Sequence, residues 1–393
     1  MKLLMLTHNY PRYNGDFAGV FISLLAKNLP AHNIEPVVLA PHDSDAAELE
    51  EVDGVTIYRF RYADTDEGED IAYRGNMHQR VLKSPSGIFR FKHFLDSFRK
   101  AALDIIEKEQ IQVVAGHWLV PAGIVMKTIK KKTSLPMILS SHGTDVNLMR
   151  KYDGVIYRYL KGFCRSLYRW TVVSSYLRKT ILETDSKLEP IMEILPLPHD
   201  EEMFYRDKAI KRDSNLVVAV TRFTEQKRVD YLIKAFALVI EKNQTARLEL
   251  YGGGPLENKI KDLIDNFGLQ DRVTIHNAVP QEQLREIYNR AAVVVLNSYQ
   301  EGFGLALSEA MMCEAAVIGT DSGGIPDIIT HNETGLLVAV DNKTVLAESV
   351  IRLLGDEGLR TGLAKAGHNY AHQIYASDPL SRRYAEIVKA AVD

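Results

Sequence analysis

Cysteine is almost missing: Cys164 and Cys313 are the only two in 393 residues. Two cysteines so far apart make neither a disulfide framework nor the spacing of a metal cluster, and a reducing cytosol suits them. No apolar run approaches the ~18 residues of a membrane span; the most apolar stretches, such as Ala291–Leu296, have strand length. The opening Met1-Lys2-Leu3-Leu4-Met5-Leu6-Thr7-His8 turns polar too early for a secretory signal and reads as a first buried strand. There are no short repeats and no low-complexity tracts, so solenoids and linker-like chains are excluded. The G-x-G-x-x-G fingerprint is also missing, which disfavours a nicotinamide dehydrogenase. Asp43-Ser44-Asp45 and Asp64-Thr65-Asp66 have the look of metal-type acidic pairs but read as loops, so no metal site is expected.

What is present is a globular composition, 46% apolar and 25% charged, in a chain long enough for two ordinary domains. The net charge of −3 hides an uneven distribution, because residues 74–187 hold 21 basic and eight acidic side chains. That segment is open to two readings, solvated helix faces or a surface for an anionic partner.

Apolar strands alternate with amphipathic helices throughout, which predicts α/β architecture with mostly parallel, doubly wound sheets. Strands are expected at Lys2–Thr7, Pro36–Ala40, Val55–Phe60, Gln112–Ala115, Met137–Ser141 and Met192–Leu195, with Thr171–Ser174 after one long helix. The alternate prolines of Pro196-Leu197-Pro198-His199-Asp200 read as a linker. After it the pattern restarts at Leu216–Val220, and helix Val229–Glu241 carries a stripe of Leu232, Ile233, Phe236 and Val239. Two such halves set a cleft between them, and in open parallel sheets a ligand lies beyond the carboxyl ends of the strands.

Five loops at those ends carry chemistry. Glu301-Gly302-Phe303-Gly304-Leu305-Ala306-Leu307-Ser308-Glu309 follows a buried strand and runs into a helix whose opening N–H groups can hold an anion or a sugar hydroxyl. Glu301 sits at the mouth of that loop, and Glu309, about a turn into the helix, could reach a ribose diol. Arg222-Phe223-Thr224-Glu225-Gln226-Lys227 sets two cations where a diphosphate could be neutralised. Tyr251-Gly252-Gly253-Gly254-Pro255 leaves room for a flat ring or a phosphate. Asn14-Gly15-Asp16-Phe17-Ala18-Gly19 opens the first helix, and Ser140-Ser141-His142-Gly143-Thr144-Asp145 puts a histidine at a strand's carboxyl end.

In the order and spacing of these loops the chain resembles the glycosyltransferase family 4 enzymes along nearly its whole length. Asp321-Ser322-Gly323-Gly324-Ile325-Pro326-Asp327 and Gly335-Leu336-Leu337-Val338 are similar too. The resemblance implies the GT-B fold: an acceptor-binding Rossmann-like domain over residues 1–197, a nucleotide-sugar-binding one over 198–374, and a C-terminal helix over 375–393 crossing back. It implies a retaining hexosyltransferase that needs neither metal nor cofactor, the nucleotide-diphosphate sugar being a co-substrate, with UDP favoured and GDP the other candidate base. It also implies that Arg222 and Lys227 bind the leaving diphosphate, that Glu309 holds the ribose, and that Glu301, with N–H groups from Gly302, Phe303, Gly304 and Leu305, meets the donor sugar. Gly253 and Gly254 join that donor site. Gly15 and Gly19 approach the phosphates, His142 sits at the sugar, and Asp145 supports His142. One departure is the linker, commonly Pro-Asn-Gly-Val-Asp in the family, where this chain has neither the Asn nor the Gly.

The acceptor is expected on the N-terminal domain. Ile88-Phe89-Arg90-Phe91-Lys92-His93-Phe94-Leu95-Asp96-Ser97-Phe98-Arg99-Lys100 mixes phenylalanines with basic residues, and Lys127-Thr128-Ile129-Lys130-Lys131-Lys132 is a basic helix end. These read either as core plus solvated charge or as peripheral contact with an anionic membrane surface bearing a lipid-linked acceptor, as in cell-envelope polysaccharide biosynthesis. A cytoplasmic enzyme at the inner face of the cell membrane is expected, with no nucleic-acid module. A nucleotide-sugar epimerase of the same architecture, or a non-catalytic nucleotide-sugar-binding protein, remain the alternatives.

Overall fold

The computed structural model describes residues 1–74, 77–82, 84–152 and 154–392. The chain divides into two compact units, Met1–Pro198 with Ser377–Asp393, and His199–Ala376.

The first unit runs β1 (Lys2–Leu6), α1 (Val20–Asn28), β2 (Glu35–Pro41), β3 (Leu49–Val52), β4 (Val55–Phe60), α2 (Met77–Leu82), α3 (Pro85–Lys108), β5 (Val113–His117), α4 (Ile124–Lys130), β6 (Met137–Ser141), α5 (Thr144–Lys151), α6 (Val155–Cys164), β7 (Arg169–Val172), α7 (Ser175–Thr184) and β8 (Met192–Ile194). Its sheet has the order β3-β4-β2-β1-β5-β6-β7-β8. Every pairing is parallel except β3 with β4. The central strands are buried on both faces, as Leu3, Leu4, Met5 and Leu6 show, which is what parallel strands between helix layers require.

Two features differ from expectation. The single long helix foreseen before β7 is two helices, α5 and α6. Gly154, at φ +68°, sits before the second, and its N–H closes back on the Met149 carbonyl at 2.9 Å. The phenylalanine-rich segment also splits. Helix α3 begins at Ser84, whose hydroxyl accepts the Gly87 N–H, with Pro85 in the first turn. Phe94 and Phe98, one turn apart, are buried and pack on Phe60 with ring centroids 5.2 and 4.6 Å away. Ile88 and Phe89, nearer the helix start, are 56% and 73% exposed. Core and surface readings thus apply to different turns of one helix.

The second unit runs β9 (Asp213–Val220), α8 (Val229–Lys242), β10 (Arg247–Tyr251), α9 (Glu257–Asn266), β11 (Val273–His276), α10 (Gln281–Arg290), β12 (Ala291–Leu296), α11 (Leu305–Met312), β13 (Ala316–Thr320), β14 (Leu336–Val338), α12 (Lys343–Gly355) and α13 (Glu357–Tyr375). Its sheet, β11-β10-β9-β12-β13-β14, is parallel throughout. The α8 stripe Leu232, Ile233, Phe236 and Val239 is buried in its core.

The last helix, α14 (Ser377–Lys389), belongs to the first unit. It contributes Leu380, Tyr384, Ile387 and Val388 to that core, beside Leu25 and Leu195. His199 and Ala376, the two ends of the second unit, pair in a parallel bridge, and the His199 N–H donates to the Tyr375 carbonyl at 2.9 Å.

Candidate active site

Strands β10, β9, β12 and β13 are neighbours, so the loops leaving their carboxyl ends converge. Backbone hydrogen bonds lace them together. Phe223 donates to the Gly253 carbonyl at 2.9 Å, and Leu256 to the Phe223 carbonyl at 3.1 Å. Tyr299 donates to the Gln226 carbonyl at 2.7 Å, and Gly324 to the Glu301 carbonyl at 2.8 Å. Gln300 N–H donates to the Ser322 hydroxyl at 2.9 Å. The first approach demands glycine: at Gly252 a Cβ would lie 2.0 Å from the Thr221 carbonyl oxygen.

Lys227 and Glu301, from the loops after β9 and β12, form an ion pair in this frame. Burial alone would push the Glu301 carboxyl up. The Lys227 ammonium, with bonds from Ser298 and the Gly302 N–H, outweighs it and holds the carboxyl below its usual value. Arg222 is exposed and pairs with no carboxylate among the described residues. Gly302, Phe303 and Gly304 are buried, and no side chain caps the α11 turn opening at Leu305, which leaves its first N–H groups to a ligand.

Glu309 is buried inside α11 and accepts a hydrogen bond from the Tyr288 hydroxyl at 3.0 Å. Burial pushes its carboxyl up to about 7. The folded chain therefore holds this proton more tightly than the unfolded one. Its contribution to stability is present at low pH and fades as pH rises through about 7. One residue before it, Ser308 bonds the ring of His199 at 2.8 Å, and the Phe303 and His199 rings lie against Tyr375. The atypical linker residue is thus tied to the glutamate-bearing helix. Beside these loops, Tyr251, His276, Gln283, Glu286 and Arg290 line a concavity of about 410 Å³. The Tyr251 and His276 rings stack there at 4.5 Å.

In the first unit, the loop carrying Gly15 and Gly19 follows β1. Asp16 braces it by accepting from the Arg12 backbone and guanidinium and from the Ala18 N–H. His142 follows β6 and packs against Phe21 of α1, with centroids 4.8 Å apart. Asp145 bonds the backbone, not the ring: it accepts N–H groups from His142 and Gly143 at 3.3 Å and from Leu119 at 2.8 Å. It so clamps the β5 and β6 loops together, while burial pushes its carboxyl up.

The sequence reading missed His117 and Trp118. His117 Nδ1 lies 3.1 Å from His142 Nε2, and Trp118, at φ +68°, sets its indole between His8 and His142. A histidine closing a buried strand is the same signal that picked out His142, and β5 ends on one. Burial holds the His142 imidazole well below its ordinary value and lowers His117 to about 3, so both rings are neutral at pH 7. Elsewhere in this unit His42, Asp66 and Glu69 cluster closely enough to share an ion. Arg61 already pairs with Asp66 and lies 4.0 Å from Glu69, so the group carries its own cation.

Two Rossmann-like units, one closed by the C-terminal helix and one with its glutamates and cations gathered at a single sheet edge, define a GT-B glycosyltransferase. Residues 18–194 match the family described as Glycosyltransferase Family 4, and residues 200–370 match Glycosyl transferases group 1. The chain belongs to glycosyltransferase family 4. It is 25% identical over 319 residues to the N-acetyl-alpha-D-glucosaminyl L-malate synthase of Bacillus anthracis, covering 78% of this chain and 82% of that one. Among solved structures, the sucrose-phosphate synthase of Thermosynechococcus elongatus superposes with a TM-score of 0.81 at 19% identity, over 99% of both chains. Anabaena HepE, solved with UDP and glucose, gives 0.75 at 15% identity, over 99% of this chain and all of that one.

Proposed function

We propose that the chain transfers a hexose from a nucleotide-diphosphate sugar, UDP before GDP, to a lipid-linked or cell-envelope glycan acceptor, with retention and without metal. The observation that carries this reading is the convergence of Arg222, Lys227, Glu301 and the α11 N-terminus on one laced set of loops. Departure of a nucleoside diphosphate builds negative charge that the ion-paired Lys227 and the exposed Arg222 can take up, a preorganised donor contributing about 3–4 kcal/mol by analogy with oxyanion donors. The bond from the sugar's anomeric carbon to the phosphate oxygen breaks, and one to the acceptor oxygen forms on the same face. The acceptor's proton passes to the departing phosphate. Glu309 takes the ribose, and the Tyr251–His276 pocket takes the base. That a similar fold is solved with UDP and glucose supports the choice of base.

The test is a panel of UDP- and GDP-sugars in EDTA, with product anomers assigned by proton NMR. Metal-free turnover with an α-linked product from an α-linked donor is expected. Strict metal dependence, or inversion, overturns that part of the proposal, and sugar interconversion without acceptor shows an epimerase.

The same reading places the enzyme in the cytoplasm at the membrane's inner face. No helix among the described residues is long and apolar enough to cross a membrane. Exposed Ile88 and Phe89 stand on α3 beside the exposed Arg90, a pairing suited to an anionic lipid surface. Sedimentation with anionic vesicles at low salt is expected, and it should fall several-fold in an Ile88→Ser, Phe89→Ser variant. No sedimentation of the parent protein removes the membrane from the proposal.

A further inference from the structure

Glu309 is an unusual carboxyl for the second unit, being 7% exposed with no lysine or arginine paired to it among the described residues. Buried charges are ordinarily paired, or neutral. What surrounds this one is a single face of α10. Tyr288, fully buried, donates its hydroxyl to Glu309 Oε2 at 3.0 Å. The Gln281 side chain bonds the same carboxyl. Seven residues separate the two, so they stand on one side of the helix, two turns apart. The Tyr288 ring is fixed in turn by Phe204, at 6.2 Å between centroids.

We propose that Tyr288 is a positioning residue for donor binding, holding Glu309 Oε2 so that Oε1 is presented to the ribose hydroxyls of the nucleotide. The inference rests on the donor reading above, which puts the ribose at Glu309. A carboxylate with one oxygen anchored keeps a single rotamer, and a diol that brings two hydrogens needs lone pairs rather than an acid proton. The phenolic hydrogen bond favours the charged form, against a burial that favours the neutral one. Other ionisable groups near the pair are Cys313, at the end of α11, with Arg206, Arg212 and Arg285 acting on that thiol, and His199, bonded to the neighbouring Ser308. The Cys313 thiol is raised to about 12 and stays neutral throughout the working range.

The direction of the pH effect follows. In the parent protein nucleotide affinity rises with pH through about 7 as Glu309 ionises. Tyr288→Phe removes a bond to the charged form, so the rise moves to higher pH.

The measurement is calorimetric binding of UDP, with GDP as second probe, between pH 6 and 8.5, beside donor KM and kcat. Tyr288→Phe is expected to weaken binding about tenfold at pH 7, as for a lost hydrogen bond to a charged group. It should raise donor KM more than it lowers kcat and approach parent affinity at pH 8.5. In Glu309→Gln only the slope from the nucleotide's own terminal phosphate remains, and adding Tyr288→Phe changes nothing further. Gln281→Ala, at a less buried position, should act in the same direction if the phenylalanine variant folds poorly. Affinity within twofold of the parent at every pH overturns the inference, as does an equal loss at every pH, which would mark a purely structural tyrosine. If the parent itself binds neither nucleotide, the donor reading fails first; parent binding with an indifferent Tyr288→Phe removes this inference alone.

Discussion

Lys227→Ala is expected to lower kcat by about 10²–10³-fold, the cost of removing one preorganised donor from a charge that develops in the transition state. The lysine closes a short turn, Glu225–Lys227, directly after β9. Its partner is Glu301, whose half-buried carboxyl it holds ionised. On the proposed donor reading, a diphosphate offers two charges where Glu301 offers one, so the ammonium is expected to be shared or handed over and the carboxylate to turn to the sugar. Glu301→Gln isolates the two roles. It should leave affinity for the bare nucleoside diphosphate unchanged or improved, since Lys227 is no longer neutralised. It should still depress kcat, since the sugar loses its anionic contact. The pair is partly reachable by water, so its contribution to stability is discounted to the modest range of such ion pairs. Steady-state kinetics with calorimetry on the two single variants and the double variant decide the matter. A Lys227→Ala enzyme within threefold of the parent kcat would remove the lysine from the chemistry.

Gly323→Ala is expected to damage both stability and turnover, from a position that carries no functional group. Gly323 has φ +66°, and a Cβ there would lie 2.2 Å from the Glu301 carbonyl oxygen and 2.4 Å from its nitrogen. Both are backbone atoms, so no rotamer relieves the clash. The left-handed backbone alone costs about 1–2 kcal/mol for a residue with a side chain. Moving the Glu301 peptide also breaks the Gly324 N–H bond that fixes it. A displacement near 1 Å at a catalytic group can cost about 10²-fold in rate. Thermal unfolding and donor kinetics on this one variant test the point; an unchanged melting temperature with parent-like kcat would show that the loop adjusts freely.

Much of the second unit was legible in the sequence because its strands and helices keep clean periods. The α8 stripe is buried where its spacing predicts, and the Glu301–Glu309 stretch links a buried strand to α11 as read. The first unit was less transparent, for physical reasons. Strand β3, Leu49-Glu50-Glu51-Val52, is an edge strand with a largely exposed pattern, so it has no buried face to leave in the sequence. Its antiparallel pairing with β4 turns on Asp53-Gly54, both at positive φ (+52° and +74°), a local hairpin signal that the reading passed over because β3 itself lacks an apolar pattern. Trp118 reads as an ordinary core aromatic, and only its left-handed backbone marks it as constrained. Tyr288 looks like any apolar position on α10; its hydroxyl matters because Glu309, 21 residues on, ends beside it. Contacts of that range depend on strand order, which spacing along the chain does not encode.

Because α14 supplies Leu380, Tyr384, Ile387 and Val388 to the core of the unit that begins the chain, the order of synthesis and the order of completion are reversed. Residues 1–198 are made before residues 199–376 yet carry an open seam until α14 emerges. The intervening unit, whose two ends meet at the His199–Ala376 bridge, has every strand and helix it needs before then. A chain truncated after residue 376 should therefore present a finished second unit beside an unfinished first one. Residues 199–376 should be the piece that survives limited proteolysis of such a chain.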